Sequence, residues 1–257
     1  MTELLIRIAF SYSLSSKCQS QYTNILYYFS GAALQLKKIA IRMGRYIHNL
    51  ILKGEGMNLD FKYCISDPQK IARTLSAFSN SEGGKLLIGV RDNGSLAGVR
   101  SDEEYYMIDS AATLYCDPEV RIMTRNHTVN GKNILEVDVP KSVKIPVKAK
   151  DEEGRWKAYF RQGDQNFLAD RVILQVWRRS GSSRGLLLRF DDKENVLLNH
   201  LRGGEKITVA GFRKLADINS KTAEKILSDF ILCGIIVCEA SEKGLFYRLS
   251  NKFEPAK

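Results

Sequence analysis

Histidine is scarce in this 257-residue chain: His48, His127 and His200 stand far apart. The five cysteines, Cys18, Cys64, Cys116, Cys233 and Cys238, are odd in number and scattered, with no C-x-x-C pair. Neither a zinc site nor a disulfide framework is legible in such spacing, and a reducing cytoplasm is the expected compartment. No Ser-His-Asp or Cys-His arrangement stands out, and no GxxxxGK[ST] phosphate loop is present. No apolar run approaches the roughly 20 residues that span a bilayer, so a membrane partner is not expected. The start, MTELLIRIAFSYSLSSKC, meets its first charge at Glu3 and has no small-residue cleavage site, so it does not read as a leader peptide.

What the chain does have is positive charge: 39 Lys and Arg against 29 Asp and Glu, a formal net charge of +10. Chains of this balance meet polyanions, nucleic acid first.

Residues 1–42 are polar and Tyr-rich without steady period, and read as an extension, poorly ordered or translated from too early a start. Folding is expected from Met43, where Ile47, Leu50 and Ile51 fall at helical spacing before Gly54. MNLDFKY (57–63) alternates: Leu59 and Phe61 face one side, Asp60 and Lys62 the other, as in a half-buried strand. Asp67-Pro68 caps a helix carrying Ile71, Leu75 and Phe78, which Asn80 and Gly83 stop. Residues 85–91 are nearly all apolar, which predicts a central strand. Asp92-Asn93-Gly94 predicts a hairpin turn returning through residues 95–99. A second helix (102–115), a hairpin around Val129-Asn130-Gly131, a strand (156–161) and a helix (170–179) follow. Ser180 to Gly185 then reads as a linker.

Residues 191–250 show helix, helix, tight turn, helix, hairpin. Thr208 caps the second helix, and the third begins at Ser220 or Lys221. That order is the winged helix-turn-helix layout. It would present Asn219, Ser220, Lys221, Thr222 and Lys225 to a DNA groove, and Lys243 at the hairpin tip to a phosphate. The plain alternative is a winged helix used only for protein contacts.

One ordered series resembles the Schlafen AlbA-like domain, also called divergent AAA. It runs Glu55, Leu59-Asp60-Phe61-Lys62, Asp67-Pro68, Ala77 to Gly84, Ile88 to Gly94 and Gly98-Val99. Tyr159-Phe160-Arg161-Gln162-Gly163 looks like the family's later Tyr-x-Arg-x-Gly segment. The expected fold class is α+β: a mixed sheet with packed helices over residues 43–180, a linker at 181–190 and a winged helix over 191–257. The resemblance, with the winged helix, implies a DNA-binding transcriptional regulator, with Arg73, Arg91 and Arg161 as further candidate contacts. Family members often carry two lobes, so one lobe implies a homodimer. Some Schlafens are ribonucleases with an acidic triad. The positions that correspond are Glu55, Asp60 and Asp92, with Lys62 beside them, and they would hold Mg²⁺ or Mn²⁺ against an RNA phosphate. The residue more common at position 60 is Glu, and Asp shortens its reach. The plain alternative is that Asp60 and Lys62 pair with one another and Asp92 caps its own turn. The older family label also implies ATP binding. Here the glycines at 83–84 follow a helix, whereas a phosphate loop precedes one.

Overall fold

The computed structural model describes residues 44–180 and 190–253, with Gln35 and Leu188. The extension expected over 1–42 and most of the linker expected over 181–190 lie outside the described residues.

Residues 44–53 form a helix, α1. After it come β1 (Leu59–Lys62), α2 (Pro68–Asn80), β2 (Gly84–Ile88), α3 (Glu103–Thr113), β3 (Cys116–Asp117), β4 (Met123–Val129) and β5 (Lys132–Val139). Then follow β6 (Lys148–Lys150), β7 (Trp156–Gln162), β8 (Gln165–Leu168) and α4 (Arg171–Ser180). The fold is α+β, with one mixed sheet in the order β1-β2-β5-β4 and a second in the order β3-β6-β7-β8. In the first sheet β1 runs parallel to β2, and β2 antiparallel to β5.

The near-unbroken apolar run of β2 follows from this layout. Leu86 and Ile88 face a core built by α2, α3 and the second sheet, with Ile71, Leu75, Phe78, Ile108 and Val137. Leu87 and Val90 face a second cluster under α1, with Ile47, Phe61 and Ile134. Both faces are covered from Leu86 to Ile88, so none of these three positions alternates to polar.

Glycine sets the ends of β2. A Cβ on Gly84 would lie 2.4 Å from the Phe78 ring. Gly89 has φ +90°, and a Cβ there would sit 2.8 Å from the carbonyl carbon of Gly98. Two backbones thus cross at contact distance, which only glycine allows. The expected hairpin after β2 is reduced to one bridge, Val90 to Leu96, with Arg91 N–H donating to the Ser95 carbonyl. Beyond it the chain crosses Gly89, and Val99 N–H bonds to Asn133 O on the β5 side. β2 therefore takes β5 as its antiparallel neighbour, and residues 95–99 do not form a strand of the sheet. The second hairpin forms as expected: Asn130 and Gly131 both have positive φ (51° and 73°), the two-residue turn that suits strand twist.

Asn80, the last residue of α2, ties this helix to the second sheet. It donates to the carbonyls of Val147 and Tyr159 and accepts from Val147 N–H, at 2.7–2.8 Å.

The C-terminal unit contains α5 (Asp192–Arg202), α6 (Val209–Leu215), α7 (Ser220–Leu232), β9 (Ile236–Ser241) and β10 (Gly244–Leu249), with a short 3₁₀ turn at Asn251–Phe253. Thr208 and Asn219 cap α6 and α7, accepting from Gly211 N–H and Thr222 N–H. Leu197, Phe212, Ala223, Leu227, Phe230 and Tyr247 form its core, together with Val172 of α4. Ile207, between α5 and α6, exchanges both backbone hydrogen bonds with Tyr247 of β10.

Candidate nucleic-acid interface

The acidic residues are placed by β1. Asp60 projects from the side opposite Leu59 and Phe61, as the alternation predicts, yet it is only 4% exposed because Arg161 of β7 lies over it. Arg161 Nη2 donates to Asp60 Oδ1 at 3.0 Å and to the Leu59 carbonyl. Its Nε donates to the Gly56 carbonyl and its Nη1 to Asn166 Oδ1. The guanidinium stacks 4.8 Å from the centre of the Phe78 ring. Arg161 is itself 3% exposed, so this guanidinium is a strut between strands and leaves no donor fork at the surface for a phosphate. The strand read as half-buried is in fact covered at Asp60 too, while Lys62 stays partly open.

Lys62 pairs with Asp60 Oδ2 at 2.7 Å. Glu55 Oε1 accepts from Phe61 N–H at 2.7 Å. Burial pushes the Glu55 carboxyl above the usual carboxylate range, and the nearby Asp60 charge adds to this against the Phe61 hydrogen bond. Glu55 and Asp60 therefore do come together. Asp92 does not join them. Asp60 pairs in register with Leu86, whereas Asp92 lies beyond the end of β2, exposed, in the turn after Arg91. Among the described residues no three His, Cys, Asp or Glu side chains are grouped to hold a metal ion. Both Asp60 oxygens also face cations at ion-pair distance. The residues present do not fit a three-carboxylate metal site in this arrangement.

The remaining N-terminal candidates differ in placement. Arg73, on α2, is half-buried and pairs with the exposed Glu152 at 3.2 Å. Arg91 is exposed, its guanidinium carbon 4.8 Å from the centre of the Tyr63 ring. On the inner strand β5, the buried Glu136 collects Tyr46 Oη, Lys85 Nζ and His127 Nε2 at 2.7–2.8 Å. Burial raises the Glu136 carboxyl, but the hydrogen bonds from Lys85, Tyr46 and His127 outweigh it and hold it below the usual range.

On the C-terminal unit, Ala223, Ile226, Leu227 and Phe230 of α7 point into the core. Its neighbouring face is covered by α4. Ser228 Oγ donates to Gln175 and accepts from Arg179, and Arg179 pairs with Asp229 at 2.5 Å. What stays open is the arc carrying Lys221, Thr222 and Lys225, with both lysines exposed. Lys225 reaches Asp229 at 2.8 Å, and among the described residues Lys221 has no carboxylate at ion-pair distance. Asn219 uses its carboxamide oxygen as the cap, and Ser220 opens the first turn. Lys243 is exposed at the tip between β9 and β10.

Tyr63 and Arg100 are absent from the residues singled out by sequence, although they accompany Arg91. Lys62-Tyr63 at a strand end was the local hint, basic next to aromatic. Their meeting depends on the β1–β2 pairing and the Gly89–Gly98 crossing, which are long-range.

No helix of the described residues is long and apolar enough to cross a membrane. No curated protein matches the chain. Solved structures do. One is the crystal structure of the DIP2311 protein from Corynebacterium diphtheriae, 18% identical, with a TM-score of 0.37 over 53% of this chain. The chain spans 30% of that protein's length. Another is the solution structure of the N-terminal domain of an ATP-dependent DNA helicase RecG-related protein from Nitrosomonas europaea. It is 20% identical, with a TM-score of 0.35, over 58% of this chain and 95% of that one. Both scores fall below 0.5, where a shared fold is not established. The family comparison is more definite: residues 55–170, from Glu55 through β8 to Asp170, match the family described as Schlafen, AlbA_2.

Proposed function

We propose that this protein binds nucleic acid, and that its C-terminal unit engages duplex DNA as a winged helix, with α7 in the major groove and the β9–β10 hairpin as the wing. The observation that carries this reading is the open arc of α7, where Lys221, Thr222 and Lys225 remain outside while the opposite side is packed. Three further features support it. A four-residue turn, 216–219, joins α6 to α7. Ile207 adds a bridge to the hairpin. The net charge is +10. The reading extends to transcriptional control and, with one Schlafen-type lobe per chain, to a homodimer that sets two α7 helices on successive turns of DNA.

The test is duplex selection from random sequence, followed by affinity measurement across a salt series. Lys221→Ala/Lys225→Ala is expected to weaken duplex binding at least fivefold. It should also lower the slope of log affinity against log salt by about 1.8, from about 0.9 per phosphate contact on B-DNA. Unchanged affinity and slope in this variant would overturn the assignment of α7.

A further inference from the structure

We propose that Arg91, Tyr63 and Arg100 form a binding site for single-stranded nucleic acid on the segment matching the Schlafen AlbA_2 family, separate from α7. The ligand class rests on the nucleic-acid reading above; the site itself rests on the following geometry.

The site lies where the parallel strands β1 and β2 end. The Lys62 carbonyl accepts from Gly89 N–H at 2.8 Å and from Val90 N–H at 3.3 Å, so Tyr63 leaves the sheet beside Arg91. The crossing of Gly98 over Gly89 then delivers Arg100 to the same edge. The Arg91 guanidinium carbon lies 4.8 Å from the Tyr63 ring centre and that of Arg100 4.5 Å, and Arg100 Nη2 also donates to Tyr63 Oη.

This edge is built. Glu104 of α3 is 3% exposed and makes no ion pair among the described residues. Instead, its Oε1 accepts from Arg100 N–H at 2.9 Å and its Oε2 from Ile65 N–H at 3.2 Å. One buried carboxylate therefore pins the backbone on both sides of the stack, and Tyr63 and Arg100 are held before any ligand arrives.

The charge is left unanswered. Several other cations of the domain find acids: Lys62 with Asp60, Lys85 with Glu136 and Asp138, Lys141 with Glu82, Lys157 with Asp151. Arg91 and Arg100 are exposed, share one ring, and have no carboxylate within 4.0 Å among the described residues. Bringing two like charges together is unfavourable until an anion sits between them.

The chemistry of the pair selects the ligand. A guanidinium fork matches phosphate oxygens in a bidentate way, and its plane, backed by an aromatic ring, accepts a stacked base. A duplex offers phosphates but hides its base faces. A single strand offers both, a few nucleotides at a time.

The experiment uses the full chain with labelled oligo-dT, oligo-rU and a duplex, read by anisotropy across a salt series. Arg91→Gln/Arg100→Gln should weaken single-strand binding about tenfold or more, and lower its salt slope by about 1.4, from about 0.7 per contact on single strands. Tyr63→Leu should weaken it about tenfold with little change in slope. Duplex affinity should stay within about twofold in both. The inference is overturned if wild-type protein binds neither single strand, if the double variant binds them as wild type does, or if it loses duplex and single strand equally. Lys221→Ala/Lys225→Ala separates the two readings. If that variant leaves duplex binding intact while the arginine variant still loses the single strand, the α7 assignment fails and this one stands. The stronger of the dT and rU responses, lost in the arginine variant, identifies which of these two strands the site prefers.

Discussion

Replacing Arg161 by methionine should destabilise the N-terminal domain by about 3 kcal/mol. The guanidinium is nearly inaccessible and donates to the carbonyls of Gly56 and Leu59 and to the side chains of Asp60 and Asn166. Removing one partner of a buried ion pair costs about 3–5 kcal/mol, mostly because the other charge is left uncompensated. Here Lys62 remains 2.7 Å from the second Asp60 oxygen, with a side chain 37% exposed, which places the loss at the low end. Arg161→Lys keeps a positive charge but cannot form the four-way fork, so an intermediate loss of about 1.5–2.5 kcal/mol is expected from the missing hydrogen bonds. Asp60→Asn, combined with Arg161→Met, should recover about 1–2 kcal/mol relative to the sum of the single changes, since the two groups share one interaction. Urea unfolding read by Trp156 fluorescence, on the same strand β7, is the assay, with Trp177→Phe to leave a single reporter. A loss below about 1 kcal/mol would refute the strut, since it would mean that Asp60 needs no compensation. A fall in nucleic-acid affinity with an unchanged unfolding midpoint would instead return Arg161 to the surface role its sequence context suggests.

Asn80→Ala removes two donors and one acceptor that hold Val147 and Tyr159, and leaves the buried Val147 N–H without its partner; a loss of about 3 kcal/mol is expected in the same urea assay. Gly89→Ala combines an unfavourable φ with a Cβ 2.8 Å from the Gly98 backbone; a loss of at least about 3 kcal/mol, read as a lowered Tm, is expected. Glu55→Gln should raise Tm at pH 7. The Glu55 carboxyl sits above its ordinary value when folded, so its ionisation opposes folding once pH passes from the unfolded value, about 4.3, through the folded one. The advantage of the glutamine variant should close as pH falls below about 4.

Local features were legible where their cause is local. The caps at Asp67 and Thr208 each accept the expected backbone N–H, because capping needs only the next two or three residues. Asn130-Gly131 forms its turn for the same reason. The apolar run of β2 reads as central because only a strand covered on both faces tolerates it. The hairpin expected after Asp92-Asn93-Gly94 failed on a long-range competitor. β5 supplies a full antiparallel ladder to β2, and residues 95–99 are drawn toward Asn133. Asp60, read as facing outward, is covered by a strand about a hundred residues later, and no period in MNLDFKY could reveal that. A separation of 37 residues likewise hides the approach of Arg100 to Tyr63.

Helix α4 shows how one short segment serves two cores. Its sequence, RVILQVWRRS, places Val172 in the C-terminal core, while Ile173 joins Ala158 and Ala169 of the preceding domain. Asp170, just before it, accepts from Tyr247 Oη of β10 at 2.5 Å, and Gln162, at the end of β7, accepts from Ala240 N–H of β9. Burial, together with the Asp170 charge, pushes the Tyr247 phenol well above its ordinary value. At its other end Arg179 pairs with Asp229 of α7, which also holds Lys225. The helix that carries the candidate DNA contacts is thus braced by the helix that follows the segment matching the Schlafen AlbA_2 family.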